Sequence, residues 1–379
     1  MKQILTLILT LAIVLSFMIS CGKSAGSETQ AVETEPIVTE PIVTEPITES
    51  ETEAEPPAPI KPVFNKPTVT AELKKEYRQY LTSYWLDKID TVKTAQGSDF
   101  TFLVQTDPHF YVGSDEAVGN IGKAFSHFVD LDFVAVLGDL IRGYAYDEDN
   151  PDDSNKSFEE LVRRYTENIN CPILMTLGNH DTNVMWCKKF ADHTQLINQY
   201  DHYFVMTEKL AEVNGTTMTV SDHKNYYYVD LPNYNVRVIM LNTVDDDYTE
   251  GYGSTFVISN EQKAWFKNEA LKTKRSVIVM SHTALVTGIS ESGNNKVEGA
   301  GTILRAVEDF VAAGGDFVAY FCGHVHVQSH LVDNNGRLHI SFKNGGGNGE
   351  VVFVNFEERT IRTVGLGKNV TDRAFTYSE

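Results

Sequence analysis

The chain has 379 residues, four of them cysteine, and a formal net charge of −20. The acidic balance argues against a nucleic-acid backbone as the main partner. It leaves open an anionic small substrate, because bound cations can dominate a local field.

The chain opens on an uncharged apolar run, residues 4–19, that follows Lys2. The run is shorter than the roughly 20 residues a helix needs to span a bilayer, and it reads as the hydrophobic part of an export signal. Ser20-Cys21-Gly22 follow at once. The arrangement resembles a bacterial lipoprotein signal, with Met18 where leucine is usual. That resemblance implies cleavage before Cys21 (residues 1–21) and a membrane attachment through lipid on that cysteine. The alternatives are an ordinary cleaved signal or an uncleaved anchor with Cys21 incidental.

Residues 22–67 contain three tandem units, Thr34–Val38, Thr39–Val43 and Thr44–Thr48, each carrying Glu-Pro-Ile at its centre. Proline every fifth residue forbids a continuous helix, and the glutamates at the same period repel one another. With no aromatic residue before Phe64, the segment has nothing from which to build a core. It is expected to be an extended acidic linker, reaching on the order of 100 Å at ~3 Å per residue.

Residues 68–379 are left for one large domain. Thr70–Lys88 has helical spacing. Apolar strand-like runs then alternate with helical ones: strand Phe100–Gln105, helix Asp115–Asp130, strand Phe133–Leu137, helix Phe158–Asn170, strand Ile173–Leu177. Tyr226–Leu231 and Val236–Asn242 are adjacent strands around Pro232-Asn233. Asn260–Thr273 is an amphipathic helix with Ser259 as its cap. Strand Ser276–Met280, helix Thr302–Ala313 stopped by Gly314-Gly315, and strand Phe317–Phe321 follow. Leu338–Phe342, Val351–Phe356 and Thr360–Val364 read as a closing antiparallel meander. The expected fold class is α/β, with two facing mixed β-sheets flanked by helices. Cys171 and Cys322 stand in apolar strand-like runs, so buried thiols are expected, with a Cys171–Cys187 bridge as the alternative.

Chemistry-bearing residues gather just past the strands. Asp107 and His109 follow the first strand, Asp139 the second, and Asn179, His180 and Asp181 the third. His282 follows the strand at 276–280, and His324 and His326 the one at 317–321. In layered α/β folds the carboxyl ends of strands are where sites form. Carboxylate, amide and imidazole donors in one set suit two neighbouring divalent cations of the Mn, Fe or Zn kind rather than a soft metal.

Taken in order, D-x-H at 107–109, G-D at 138–139, G-N-H-D at 178–181, the lone His282 and G-H-x-H at 323–326 resemble the calcineurin-like metallophosphoesterase superfamily. The resemblance covers roughly residues 100–342 and implies an αββα sandwich. It implies a first metal ion on Asp107, His109, Asp139 and His326. A second would lie on Asp139, Asn179, His282 and His324, with Asp139 bridging and a metal-held hydroxide as nucleophile. His180 would face substrate as general acid or phosphate contact, with Asp181 orienting it. Purple acid phosphatases carry a ligating tyrosine where this chain has Arg142, which argues against a ferric tyrosinate site. Exported nucleotidases carry a further large domain after G-H-x-H, for which the 53 residues after His326 leave no room. Asp245–Ser254, with Tyr248 and Tyr252, and Thr287–Gly301 are expected to be loops over the site. Among the remaining histidines, His193 and His223 are candidates for substrate contact.

The functional expectation is a membrane-anchored, extracytoplasmic hydrolase of phosphomonoesters or phosphodiesters, its substrate a phosphorylated small molecule or headgroup. The alternatives are a diesterase of nucleotides or lipid headgroups, and a non-catalytic surface binding protein on the same fold.

Overall fold

The computed structural model describes residues 83–97, 99–113, 118–143, 152–166, 169, 171–181, 219–221, 225–245, 256–290 and 296–378. They all fall in one unit, Glu55–Glu379. The expected leader, the expected linker and the first part of the helix expected over Thr70–Lys88 lie outside these residues. So do Cys187, His193, His202, His223, Tyr248 and Tyr252. No helix among the described residues is long and apolar enough to cross a membrane.

Two mixed sheets carry the fold. The first has the order β13-β12-β11-β1-β2-β3, where β1 is Phe100–Gln105, β2 Phe133–Leu137, β3 Ile173–Thr176, β11 Gly349–Asn355, β12 Thr360–Leu366 and β13 Arg373–Thr376. The second has the order β4-β5-β6-β7-β8-β10-β9: β4 is Thr219–Val220, β5 Tyr227–Leu231, β6 Val236–Leu241, β7 Ser276–Ser281, β8 Phe317–Cys322, β9 Ser329–Val332 and β10 Leu338–Ser341. Within the first sheet β1, β2 and β3 run parallel; within the second β6, β7, β8 and β10 do. Every residue of β1, β2, β6 and β8 is buried. That explains why these strands read as mainly apolar runs, interrupted only by Thr101, Gln105 and Arg237, rather than alternating ones.

The sheets meet through aromatic and hydrogen-bonded contacts. Phe102 of β1 stacks on Phe133 of β2 at 4.7 Å and meets Phe321 of β8 edge-on at 5.8 Å. The Tyr227 hydroxyl of β5 donates to the Met175 carbonyl of β3 and accepts from its amide. Thr176 Oγ1 donates to the Leu241 carbonyl at 2.6 Å.

The helices cover the outer faces: α1 Ser83–Gln96, α2 Asn120–Phe128, α3 Asp152–Thr166, α4 Asn260–Trp265 and α5 Ala300–Ala312. Helix α1 runs on past Lys88, because Trp85, Ile89, Val92 and Ala95 continue one apolar stripe against the core. Ser259 caps α4 as expected, its hydroxyl accepting from the Gln262 amide. The helix then widens into a π turn, Phe266–Ala270, which turns Phe266 and Ala270 inward.

The closing meander needs correction. β11, β12 and β13 form one in the first sheet, but β10 belongs to the second, parallel to β8 and antiparallel to β9. An alternating apolar pattern gives a strand its faces, not its sheet, and β10 takes the open edge of β8. The strands β4, β9 and β13 had no apolar run to reveal them. The last two alternate between half-buried and exposed positions.

Candidate metal centre

The carboxyl ends of β1, β2, β3, β7 and β8 converge, and the turns leaving them are wound tightly. Eight non-glycine residues among those described have positive φ, and five of them are Asp107, His109, Asp139, His324 and His326. Such conformations cost on the order of 1–3 kcal/mol each and persist only where the surroundings impose them. Here the turns brace one another: the amides of Asp107, His109 and Phe110 donate to the carbonyls of Gly138, Asp139 and Leu140, each at 3.0 Å. Two glycines are fixed by close approach. A β-carbon at Gly178 would run into the amide and carboxylate of Asp139, and one at Gly323 into the Thr106 hydroxyl and the Asp107 carboxylate.

The expected first set of donors comes together. Ligand atoms of Asp107, His109, Asp139 and His326 all lie within 4.8 Å of one another. His326 Nε2 is 3.0 Å from Asp107 Oδ1 and 3.2 Å from His109 Nε2. Asp107 is fully buried and held on its other oxygen by the Thr106 hydroxyl at 2.5 Å and the His324 amide at 3.0 Å.

The second set shares Asp139 with the first. Asp139, His282 and His324 form a second group within the same 4.8 Å spread. His282 Nε2 is 3.3 Å from Asp139 Oδ2 and 3.1 Å from Asn179 Oδ1. His282 Nδ1 donates to the Leu137 carbonyl at 2.8 Å, which leaves Nε2 as the ligating nitrogen. The His324 ring lies between His282, 5.1 Å away centroid to centroid, and Phe256, 4.9 Å away.

The electrostatics call for positive charge at this point. Burial is the largest single influence on His282 and would lower its pKa, but the charges of Asp139 and Asp107 and the hydrogen bonds to Asp139 and the Leu137 carbonyl together push it to about 10. Burial would likewise raise Asp139, yet its histidine neighbours, His282 first, hold it far below the usual carboxylate range. Burial lowers His109, and burial with the charge of His282 lowers His324 to about 4, so both rings are neutral near pH 7 and offer lone pairs. Buried carboxylates facing imidazole nitrogens need protons or cations between them. The donor set fits divalent metal ions, which would take the place of those protons.

His180 stands at the edge of the same cluster, its Nε2 3.9 Å from Asp139 Oδ2 and its ring 4.5 Å from that of His109. Its Nδ1 donates to the Arg142 carbonyl at 2.7 Å. The expectation that Asp181 orients it is not what the geometry gives. Asp181 is fully buried and accepts from the Gly178 amide at 2.7 Å and the Ile141 amide at 3.0 Å. It ties the Asn179-His180 turn to the loop after Asp139. Burial, and then the charge of Asp139, push its carboxyl up to about 8.

A sequence profile of the calcineurin-like phosphoesterases matches residues 100–328. The chain belongs to the calcineurin-like phosphoesterase family. In overall structure this phosphoesterase is similar to a dimetal phosphatase from Danio rerio, at 14% identity and a TM-score of 0.51, with 74% of this chain and 99% of that one covered. It is also similar to a purple acid phosphatase from yellow lupin seeds (12% identity, TM-score 0.45, 74% and 54% covered). A third similar structure is a 5'-nucleotidase from Candida albicans (16% identity, TM-score 0.39, 68% and 48% covered). At such identities the likeness speaks to the fold. No curated protein matches the chain.

The phosphoesterase site also uses residues that sequence reasoning passed over. Thr106 buttresses Asp107, and its position directly before the D-x-H motif was the available signal. Phe256 walls in His324 from a distant loop, and no local pattern announces it.

Proposed function

We propose that this phosphoesterase is exported, anchored to a membrane through lipid on Cys21, and hydrolyses small phosphomonoesters or phosphodiesters outside the cytoplasm. Asp107, His109, Asp139 and His326 would hold one divalent cation, of the Mn, Fe or Zn kind. Asp139, Asn179, His282 and His324 would hold the other. The observation that carries this reading is the shared use of Asp139, whose Oδ2 faces His282 Nε2 at 3.3 Å on one side and His109 Nε2 at 4.0 Å on the other. When bound, two such cations polarise phosphoryl oxygens and lower the pKa of water between them.

The protein's own groups have separable tasks. Asp107 and Asp139, buried and locked by amide donors, set the spacing of the donor sets. His180 is turned by the Arg142 carbonyl so that Nε2 faces the cluster. As imidazolium it carries the Nε2 proton that a departing alkoxide takes up when the P–O bond breaks. Asp181 keeps the His180 turn in register.

The test is an assay of model mono- and diesters with added Mn²⁺ or Zn²⁺, run beside metal analysis of the same folded sample. Turnover of either ester class by protein holding two ions supports the reading. Folded protein that holds two ions and hydrolyses neither ends it. Cys21→Ser, expressed in a bacterial host, should move the protein from the membrane to the soluble fraction. Unchanged membrane retention would remove the lipid anchor from the proposal.

A further inference from the structure

The turn that carries His324 and His326 has to send two close rings to different places. His324 belongs to the donor group with Asp139 and His282, and His326 to the group with Asp107, His109 and Asp139. Both histidines hold positive φ, 65° and 60°, and Val325 alone separates them. Backbone bonds explain part of this arrangement. The His324 amide donates to Asp107 Oδ2 at 3.0 Å and the Gly323 amide to the His282 carbonyl at 2.8 Å. The Val325 amide donates to the Gly323 carbonyl at 2.7 Å. These bonds secure the turn as far as Val325.

Packing does the rest. The Val325 side chain is 5% exposed and packs with Ala284, Ile289 and Cys322 in a small apolar cluster, with Leu331 against it. This cluster is separate from the main core. Its members come from the segments around the turn. Ala284 and Ile289 lie on the stretch leaving His282, Cys322 closes β8, and Leu331 lies on β9. Leu285, next to Ala284, packs into the main core instead, so the stretch after His282 is gripped from both sides. The Cys322 thiol donates to the Ile340 carbonyl of β10 at 3.6 Å, which ties the cluster to the sheet. One apolar cluster therefore underlies the segments that carry His282, His324 and His326.

We infer that Val325 is a positioning residue for both cations. Its side chain, wedged among Ala284, Ile289, Cys322 and Leu331, sets the turn so that His324 addresses one ion and His326 the other. The inference rests on the two-cation reading above. The branched β-carbon restricts rotation about χ1, so a packed valine holds its own backbone still. Ligands held by such packing lose their geometry when the support loosens, even though the donor atoms themselves remain.

The experiment is isothermal titration of metal-free protein with Mn²⁺ or Zn²⁺, beside thermal unfolding of the same metal-free samples. Val325→Ala should weaken both binding steps by about 10–100-fold. Ile289→Val, a milder change away from the turn, should weaken both by a smaller factor. Val325→Thr keeps the branched shape, so both affinities should stay within about threefold although the buried hydroxyl lowers Tm. Val354→Ala is the control. It removes the same methyl groups from the main core, opposite Phe100 at the end of β1 away from Asp107. It should lower Tm and leave both affinities unchanged. Unchanged affinities in Val325→Ala overturn the inference, and so does a loss confined to one ion. Equal weakening by Val354→Ala also overturns it, because the effect would then be a general loosening. Should Val325→Ala fail to fold, Ile289→Val decides, and unchanged affinities there overturn the inference. Unsubstituted protein that binds no ion ends the two-cation reading and this inference with it.

Discussion

The Nε2 atoms of His109 and His326 face one another at 3.2 Å although the two residues lie 217 positions apart in the chain. The fold closes this contact between the end of β1 and the end of β8, with Asp107 Oδ1 3.0 Å from the same His326 nitrogen. Two ring nitrogens and a carboxylate aimed at one point repel unless positive charge lies there. Bound cations are therefore expected to stabilise the folded state. At an ion concentration of about 100 Kd the gain is roughly 2.7 kcal/mol per site. In a domain of about 310 residues that is a rise in Tm of roughly 4 °C per site. Scanning calorimetry of protein treated with EDTA, before and after Mn²⁺ or Zn²⁺ is restored, reads this directly. A Tm indifferent to both would mean that the cluster holds no ion.

Asp139 is the one carboxylate common to both donor groups. Asp139→Ala should accordingly empty both positions, and His326→Ala only the first. Metal analysis is expected to fall from two ions per chain to none in the former variant and to one in the latter. Turnover should drop at least about 10³-fold in Asp139→Ala, on the scale of losing a main electrostatic contributor. Retention of two ions by the Asp139 variant would rule out the bridging role, whatever its activity.

The strand ends and the donor set were legible because both follow from short-range rules. Buried parallel strands are mainly apolar runs, and the chain must turn where each stops, so Asp107, Asp139, Asn179, His282 and His324 all stand out just after such a run. The role of Asp181 was not legible. A G-N-H-D string shows neighbours in sequence, and only the fold brings the Ile141 amide to within 3.0 Å of its carboxylate. Strand β10 was misassigned for a related reason. Alternation marks Leu338–Ser341 as a strand, but membership of the second sheet depends on Cys322 and Tyr320 of β8 being free on that edge.

Phe256 is the clearest contact that no motif reveals. Its ring is 6% exposed and packs on the His324 ring at 4.9 Å, on a segment fixed by bridges from Val257 to Val244 and to Glu298. Phe256→Ala would leave space beside a ring that must hold one orientation at a positive φ. Changes of this kind around a ligand cost about 10–100-fold in metal affinity. The loss should fall on the second ion alone, with the first, away from Phe256, unaffected. Phe256→Leu should recover part of it. Isothermal titration of metal-free protein separates the two binding steps. Equal weakening of both would show a general loosening of the fold instead.

A clasp between the two sheets lies behind His326. Arg373 of β13 forms a two-pronged pair with Glu350 of β11, at 2.9 and 2.7 Å, and its third nitrogen donates to the carbonyls of Ser329 and Ser341 at 3.0 and 3.1 Å. One side chain of the first sheet thereby holds β9 and β10 of the second, three residues after His326. Glu350 is 1% exposed; burial raises its pKa, and Arg373 opposes that rise. Arg373→Met removes the opposing charge and leaves a buried carboxylate with only the neutral donors Thr363 and Gln328, which costs up to about 3–5 kcal/mol. The sign with pH follows from the carboxyl. With Arg373 gone the folded-state pKa lies further above the unfolded value of 4.5, so the penalty is absent below that value and grows as pH rises through the window above it. Urea unfolding at pH 4 and pH 7.5 should therefore show a small deficit for the variant at the lower pH and a large one at the higher. Adding Glu350→Gln to Arg373→Met should flatten that dependence, because no buried carboxylate is left to ionise. A deficit equal at both pH values would mean that Arg373 acts through the two carbonyls rather than through Glu350.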